Sequence, residues 1–144
     1  MDHRPILLVE DNPDDVELTL HALKENNVAN EVLIARDGNE ALEILFGEGV
    51  PSQKTSAPRP ALVLLDLKLP GTDGFDILKR IRNNDSTRLM PVVILTSSKE
   101  HSDLLKGYRL GANSYVRKPV DYDHFLTVVR QLGTYWLTLN EPIT

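Results

Sequence analysis

The chain has 144 residues, 41% of them hydrophobic and 26% charged, which is enough for one domain with a substantial core. A formal charge of −5 lacks the basic footprint that phosphate backbones demand, which argues against nucleic acid as the direct ligand. Zero cysteines exclude disulfides and thiol catalysis, and no apolar run is long enough to span a membrane or serve as a signal peptide, so a cytoplasmic location with no membrane contact is expected.

Ile6-Leu7-Leu8-Val9 is an unbroken apolar run that ends on Glu10 and Asp11. Such a run reads as a strand buried on both faces. Asn12-Pro13-Asp14-Asp15 then starts a helix: Asn12 suits the N-cap, Pro13 the first helical position, and two acids favour the positive end of the dipole. Val16, Leu20 and Leu23 make that helix amphipathic to about Glu25, and Asn26-Asn27 ends it. Val32-Leu33-Ile34-Ala35 is a second strand, followed through Asp37-Gly38 by a helix carrying Ala41, Leu42, Leu45 and Phe46. Residues 47–60 hold three prolines and no periodicity, which predicts a loop, long for a compact domain.

Leu62-Val63-Leu64-Leu65 is the third strand, ending abruptly on Asp66, with Pro70, Gly71 and Gly74 breaking the chain soon after. Phe75, Ile77, Leu78 and Ile81 mark the third helix. Val92-Val93-Ile94-Leu95 is a strand ending on Thr96-Ser97-Ser98, and a helix from about Lys99 to Leu110 is stopped by Gly111. Ser114-Tyr115-Val116 is a short fifth strand closed by Lys118-Pro119, and the last helix, from near Asp121, carries Phe125, Val128, Val129 and Leu132. Five β-α repeats with right-handed crossovers predict a doubly wound α/β fold with a five-stranded parallel sheet in the order 2-1-3-4-5.

All strand C-termini of a parallel sheet share one edge, so Glu10, Asp11, Asp66, Thr96 and Lys118 become neighbours there. Each alone has an ordinary reading as a cap, a turn-former or a solvated loop residue. Together they do not, because three carboxylates repel by about 4 kcal/mol per pair at 4 Å for an effective dielectric near 20. A cation relieves that repulsion. Oxygen-only ligands select a hard ion, best Mg²⁺, with Mn²⁺ as a substitute. A divalent ion, a free carboxylate, an amine and a hydroxyl describe phosphoryl transfer onto Asp66, with Lys118 and the metal neutralising phosphoryl oxygens and Thr96 hydrogen-bonding one of them.

Leu7-Leu8-Val9-Glu10-Asp11, Leu65-Asp66-Leu67-Lys68-Leu69-Pro70 with Asp73-Gly74, Leu95-Thr96-Ser97 and Tyr115-Val116-Arg117-Lys118-Pro119 together resemble a two-component response-regulator receiver domain over essentially the whole chain. The resemblance implies a flavodoxin-like receiver fold and a non-enzyme signalling protein in which Asp66 takes a phosphoryl group from a phosphohistidine on a sensor histidine kinase. It implies Mg²⁺ held by Glu10, Asp11, Asp66 and the backbone carbonyl of Lys68, and Lys118 paired with the phosphoryl group across a cis peptide bond to Pro119. It also implies a switch in which Thr96 moves to the phosphate and Tyr115 rotates into the vacated space, altering the face of helix 4, strand 5 and helix 5. Lys68 and Ser98 would flank the approach of hydrolytic water.

Two stretches depart from a minimal receiver: the 47–60 insertion and the 133–144 extension of the last helix and tail. In the tail, Tyr135, Trp136 and Leu139 are either core or an exposed partner patch, which a homodimer through the helix 5 side would bury. With Pro58-Arg59-Pro60 and Gly107-Tyr108-Arg109-Leu110, these stretches resemble single-domain regulators of cyanobacterial and bacterial phytochromes, which would make the kinase a phytochrome. On that reading 1–144 is a single receiver domain, the end at Thr144 leaves no room for an output domain, and signalling goes through protein contacts. His3, His21, His101 and His124 are read as surface residues. The alternative is a haloacid-dehalogenase-like phosphatase with an aspartyl-phosphate intermediate. Such an enzyme needs an Asp two positions after the nucleophile, where this chain has Lys68. A nucleotide- or flavin-binding module would need a glycine-rich loop after the first strand, where Glu-Asp-Asn-Pro-Asp stands instead.

Overall fold

In a computed structural model of the chain, residues 2–26, 28–47 and 59–143 are described. Five parallel strands, β1 (Ile6–Val9), β2 (Val32–Ala35), β3 (Leu62–Leu65), β4 (Val92–Thr96) and β5 (Ser114–Arg117), pair in the order β2-β1-β3-β4-β5. The helices are α1 (Pro13–Glu25), α2 (Gly38–Phe46), α3 (Gly74–Asn83), α4 (His101–Arg109) and α5 (Tyr122–Thr134), and a π-helical turn, Tyr135–Leu139, continues α5. The predicted fold class and strand order are those observed. Most of the 47–60 loop lies outside the described residues.

Alternation along the strands divides the core into two layers. Leu7, Val9, Val63, Leu65, Val92 and Ile94 face α2 and α3, meeting Ala41, Leu45, Phe75, Leu78 and Ile81. Ile6, Leu8, Leu62, Leu64, Val93 and Leu95 face the other way, onto Val16, Leu23, Phe125, Val129 and Leu137. Hence β1, β3 and β4 are buried on both faces, and each of their apolar side chains contributes about 1.5–3 kcal/mol by burial. The flanking strands β2 and β5 are only half-buried.

Three helices start on side-chain caps. Asn12 Oδ1 accepts from the backbone N–H of Asp14 at 2.9 Å and of Asp15 at 3.3 Å. Asp37 Oδ1 accepts from Glu40 N–H at 2.8 Å, and Asp73 Oδ1 from Phe75 N–H at 2.9 Å. Without such a cap, α4 starts two residues later than expected, at His101. Its preceding turn is held instead by Ser98, whose Oγ accepts from Glu100 N–H at 3.3 Å. The helix stops at Gly111 as predicted, where φ is +100°, a conformation glycine adopts without strain.

Arg82 joins the lower loops. Its guanidinium donates to the carbonyls of Gly111 (2.8 Å), Arg88 (3.0 Å) and Met90 (2.8 Å) and to Asn113 Oδ1 (2.9 Å), tying the turn after α3 to the turn after α4. At the N-terminus, Asp2 N–H donates to Leu137 O at 3.0 Å, fastening the π-helical turn to the start of the chain.

Candidate functional site

The sheet ladder runs one residue past three strands. Glu10 N–H donates to Ala35 O at 2.9 Å, Asp66 N–H to Val9 O at 3.0 Å and Lys118 N–H to Thr96 O at 2.7 Å. These bonds hold Glu10, Asp66 and Lys118 in extended backbone at the C-terminal edge of the sheet. Beyond Asp66 the chain is held by Gly74, whose N–H donates to Leu67 O at 3.1 Å and whose Cα lies so close that a side chain would strike the Asp66 carbonyl.

Lys118 is the centre of the cluster. Its Nζ donates to Glu10 Oε1, to Asp15 Oδ2 at 2.8 Å and to Asp66 Oδ2 at 3.1 Å, with only 9% of its side chain exposed. Burial opposes the ammonium charge, but the hydrogen bonds to Asp15 and Glu10 and the field of Asp66 outweigh it, so Lys118 is held above the usual lysine value. Burial pushes the Glu10 carboxyl up, to about 7, against the pull of Lys118; the neighbouring Asp66 charge adds to the push. Glu10 Oε2 also accepts from Asn12 N–H at 3.2 Å.

One ligand oxygen each from Glu10, Asp11 and Asp66 lies within 4.8 Å of the others, with Glu10 and Asp66 buried and Asp11 exposed. The trio supplies hard oxygen donors, an exposed side from which bound water can complete a coordination shell, and no imidazole or thiolate. That donor set fits Mg²⁺ or Mn²⁺.

Thr96 is fully buried at the end of β4, and its Oγ1 accepts from Ser98 N–H at 3.3 Å. Ser98 Oγ donates to Asp103 Oδ2 at 2.6 Å, and Tyr115 Oη donates to Ser98 O at 3.4 Å. Thr96 and Tyr115 therefore meet through Ser98 rather than through each other. Burial, partly countered by that bond to Ser98, pushes the Tyr115 phenol up.

One expectation needs revision. The Lys118–Pro119 peptide is trans, because no cis bond occurs among the described residues. Ser98 is buried, and its hydroxyl is bonded to Asp103. Lys68 has an exposed side chain, and its N–H approaches Asp66 Oδ1 only at 3.4 Å. The tail residues differ in burial, although the Tyr135 and Trp136 rings meet edge to face with centroids 5.0 Å apart. Tyr135 (50% exposed) and Leu139 (68%) face outwards, whereas Trp136 packs against the core layer of α1 and α5 and lines a cavity at the opposite edge of the sheet, near Arg4, Met90 and Pro91. All four histidines are exposed, as expected.

Sequence reading missed Asp15. Its place in the first turn predicts only a partner for the α1 dipole, yet its carboxylate reaches Lys118. The available signal was its place in the first turn of a helix that begins three residues after Glu10, since that turn overhangs the strand edge.

A family model described as the response regulator receiver domain matches residues 6–130. The response regulator Rcp1 of Synechocystis sp. is 36% identical over 132 residues, 92% of this chain and 88% of Rcp1. A crystal structure of the phosphorylated cyanobacterial phytochrome response regulator RcpA matches with a TM-score of 0.91 and 35% identity, covering 99% of this chain and 100% of RcpA. A structure of Rcp1 with Mn²⁺ bound matches with a TM-score of 0.89 and 34% identity over 98% of this chain and 99% of that one.

Proposed function

Because the chain belongs to the response regulator receiver domain family, we propose that it is a stand-alone response regulator phosphorylated on Asp66 by a sensor histidine kinase. The observation that carries this reading is the convergence of Glu10, Asp11 and Asp66 on one point beside the Lys118 ammonium. In the transfer, an oxygen of the Asp66 carboxylate attacks the phosphorus of the kinase's phosphohistidine, a P–O bond forms, and the P–N bond breaks with its electron pair left on the imidazole. Bound Mg²⁺, held by Glu10, Asp11, Asp66 and the carbonyl of Lys68, would neutralise phosphoryl oxygens. Lys118, already bonded to Asp66, supplies a second positive charge. Thr96 gives up its contact with Ser98 to hydrogen-bond the phosphoryl group, and Tyr115 follows it inward, reshaping the face of α4, β5 and α5. Lys68 has no carboxylic acid to protonate a leaving alcohol, which disfavours the phosphatase alternative.

The likeness to Rcp1 and RcpA supports a phytochrome as the kinase, in the cytoplasm; among the described residues no helix is long and apolar enough to cross a membrane. A homodimer through the α5 side would cover Tyr135 and Leu139. Acetyl phosphate with Mg²⁺ tests the central claim: it should add one hydroxylamine-labile phosphoryl group to the protein and none to Asp66→Asn. Labelling that survives in Asp66→Asn removes the assignment.

A further inference from the structure

The three carboxylates bonded to Lys118 are not equivalent. Glu10 and Asp66 belong to the trio that converges for a cation, and Asp15 does not. Asp15 is nonetheless well placed. Its backbone N–H is held by the cap residue Asn12 at 3.3 Å, its carbonyl accepts from the Thr19 hydroxyl at 2.7 Å, and its Oδ2 lies 2.8 Å from Lys118 Nζ. A divalent cation entering among Glu10, Asp11 and Asp66 competes with the ammonium for two of its three partners and repels it as well. Were those two the only partners, each cation would weaken the other's hold.

We propose that Asp15 is a positioning residue that holds Lys118 when the metal claims Glu10 and Asp66, so that ammonium and metal occupy the site together rather than in turn. Asp15 acts only through Lys118 and touches neither metal nor phosphoryl group. Its own charge works against transfer, because it stands near where an anionic phosphoryl group must arrive. Keeping a carboxylate there makes sense if the fixed position of Lys118 outweighs that repulsion. The proposal rests on the reading of Asp66 as the phosphoryl acceptor.

The test is a double-mutant cycle on the full chain, with Mg²⁺ binding measured by calorimetry and Asp66 labelling by acetyl phosphate at saturating Mg²⁺. Asp15→Asn, which is isosteric, should weaken Mg²⁺ binding about tenfold when Lys118 is present and no more than about twofold in a Lys118→Gln background, a coupling typical of directly paired side chains. Asp15→Glu should restore most of the affinity. Labelling of Asp15→Asn should slow about fivefold, as expected for a mispositioned charge. Equal losses of affinity in the two backgrounds overturn the proposal, as does faster labelling, which is what removal of a negative charge alone produces. Asp66→Asn separates the two claims. If it still labels, the acceptor reading fails; if it is silent while the cycle shows no coupling, only the role of Asp15 fails.

Discussion

Gly74 stands directly against Asp66: a β-carbon at position 74 would collide with the Asp66 carbonyl oxygen and lie 2.8 Å from the Leu67 α-carbon. The first residue of α3 and the end of β3 are thus packed backbone to backbone, at the residue that carries the Asp66 carboxylate. Gly74→Ala should cost about 1–3 kcal/mol, the usual penalty of overpacking against a rigid neighbour. It should also slow acetyl phosphate labelling at least about tenfold, because a displacement of well under 1 Å degrades a reacting geometry. Urea unfolding and labelling rates measure both. Wild-type behaviour in the two assays would mean that the Asp66 backbone yields without consequence.

Arg82 makes bonds that a lysine cannot reproduce. A planar fork reaches three carbonyls and the Asn113 side chain at once, whereas an ammonium on a shorter span satisfies one or two of them. Arg82→Lys should therefore lose about 2–3 kcal/mol, the cost of leaving two half-buried acceptors unpaired. The midpoint of urea denaturation reports the loss; an unchanged midpoint would show that water takes over those carbonyls.

The N-terminal clasp gives a pH dependence. Asp2 accepts hydrogen bonds from Arg4 Nε and Nη2, which hold its carboxyl below the usual aspartate value of 3.8 against the opposing effect of burial. A folded-state pKa below the unfolded one means that the ionised form is favoured by folding. The stabilisation is present above 3.8 and disappears as pH falls through the lowered folded value. Asp2→Asn should cost about 1 kcal/mol at pH 7, at the low end because Arg4 is partly exposed. Its melting temperature should converge with that of the wild type in acid, and a constant difference from pH 7 to pH 3 contradicts the ion pair as its source.

Tyr135 and Leu139 frame a shallow groove with Asn26, Thr127, Arg130 and Thr134 between α1 and α5. If a second copy docks there, Leu139→Glu should shift the solution-scattering mass to that of one chain at concentrations where the wild type is a dimer, since a charge buried opposite apolar surface is not tolerated. A wild type that stays monomeric with and without acetyl phosphate ends the dimer reading. Trp136→Ala is the poorer probe, because that ring packs on the core.

What was legible in the sequence follows from chain-local physics. Runs such as Leu62-Val63-Leu64-Leu65 bury both faces, so they read as central strands, and the residue after each run lands on one edge because parallel strands all point the same way. That geometry places Glu10, Asp66, Thr96 and Lys118 together without any knowledge of the helices. Capping by Asn12, Asp37 and Asp73 is equally local, since each side chain bonds a backbone N–H two or three residues away.

Tertiary structure decided the rest, wherever the outcome depends on partners distant in the chain or on a local change of helical pitch. Asp15 meets Lys118 across 103 positions, and nothing in the first turn of α1 says which residue will stand opposite. The Ser98 hydroxyl is taken up by Asp103 in the first turn of α4 and by the N–H of Glu100, partners that exist only once α4 has formed. In the tail, spacing that suits a regular α-helix put Trp136 and Leu139 on one face. The chain instead widens into a π-helical turn closed by Asn140 N–H to Tyr135 O, which advances each residue through a smaller angle. Leu137 takes the buried place, pinned by Asp2, and Leu139 is left outside. The sequence by itself determined the sheet and the chemical types at its edge, because both follow from burial and strand direction. Only the folded chain decided which carboxylates share Lys118, because that depends on how the first turn of α1 overhangs the sheet.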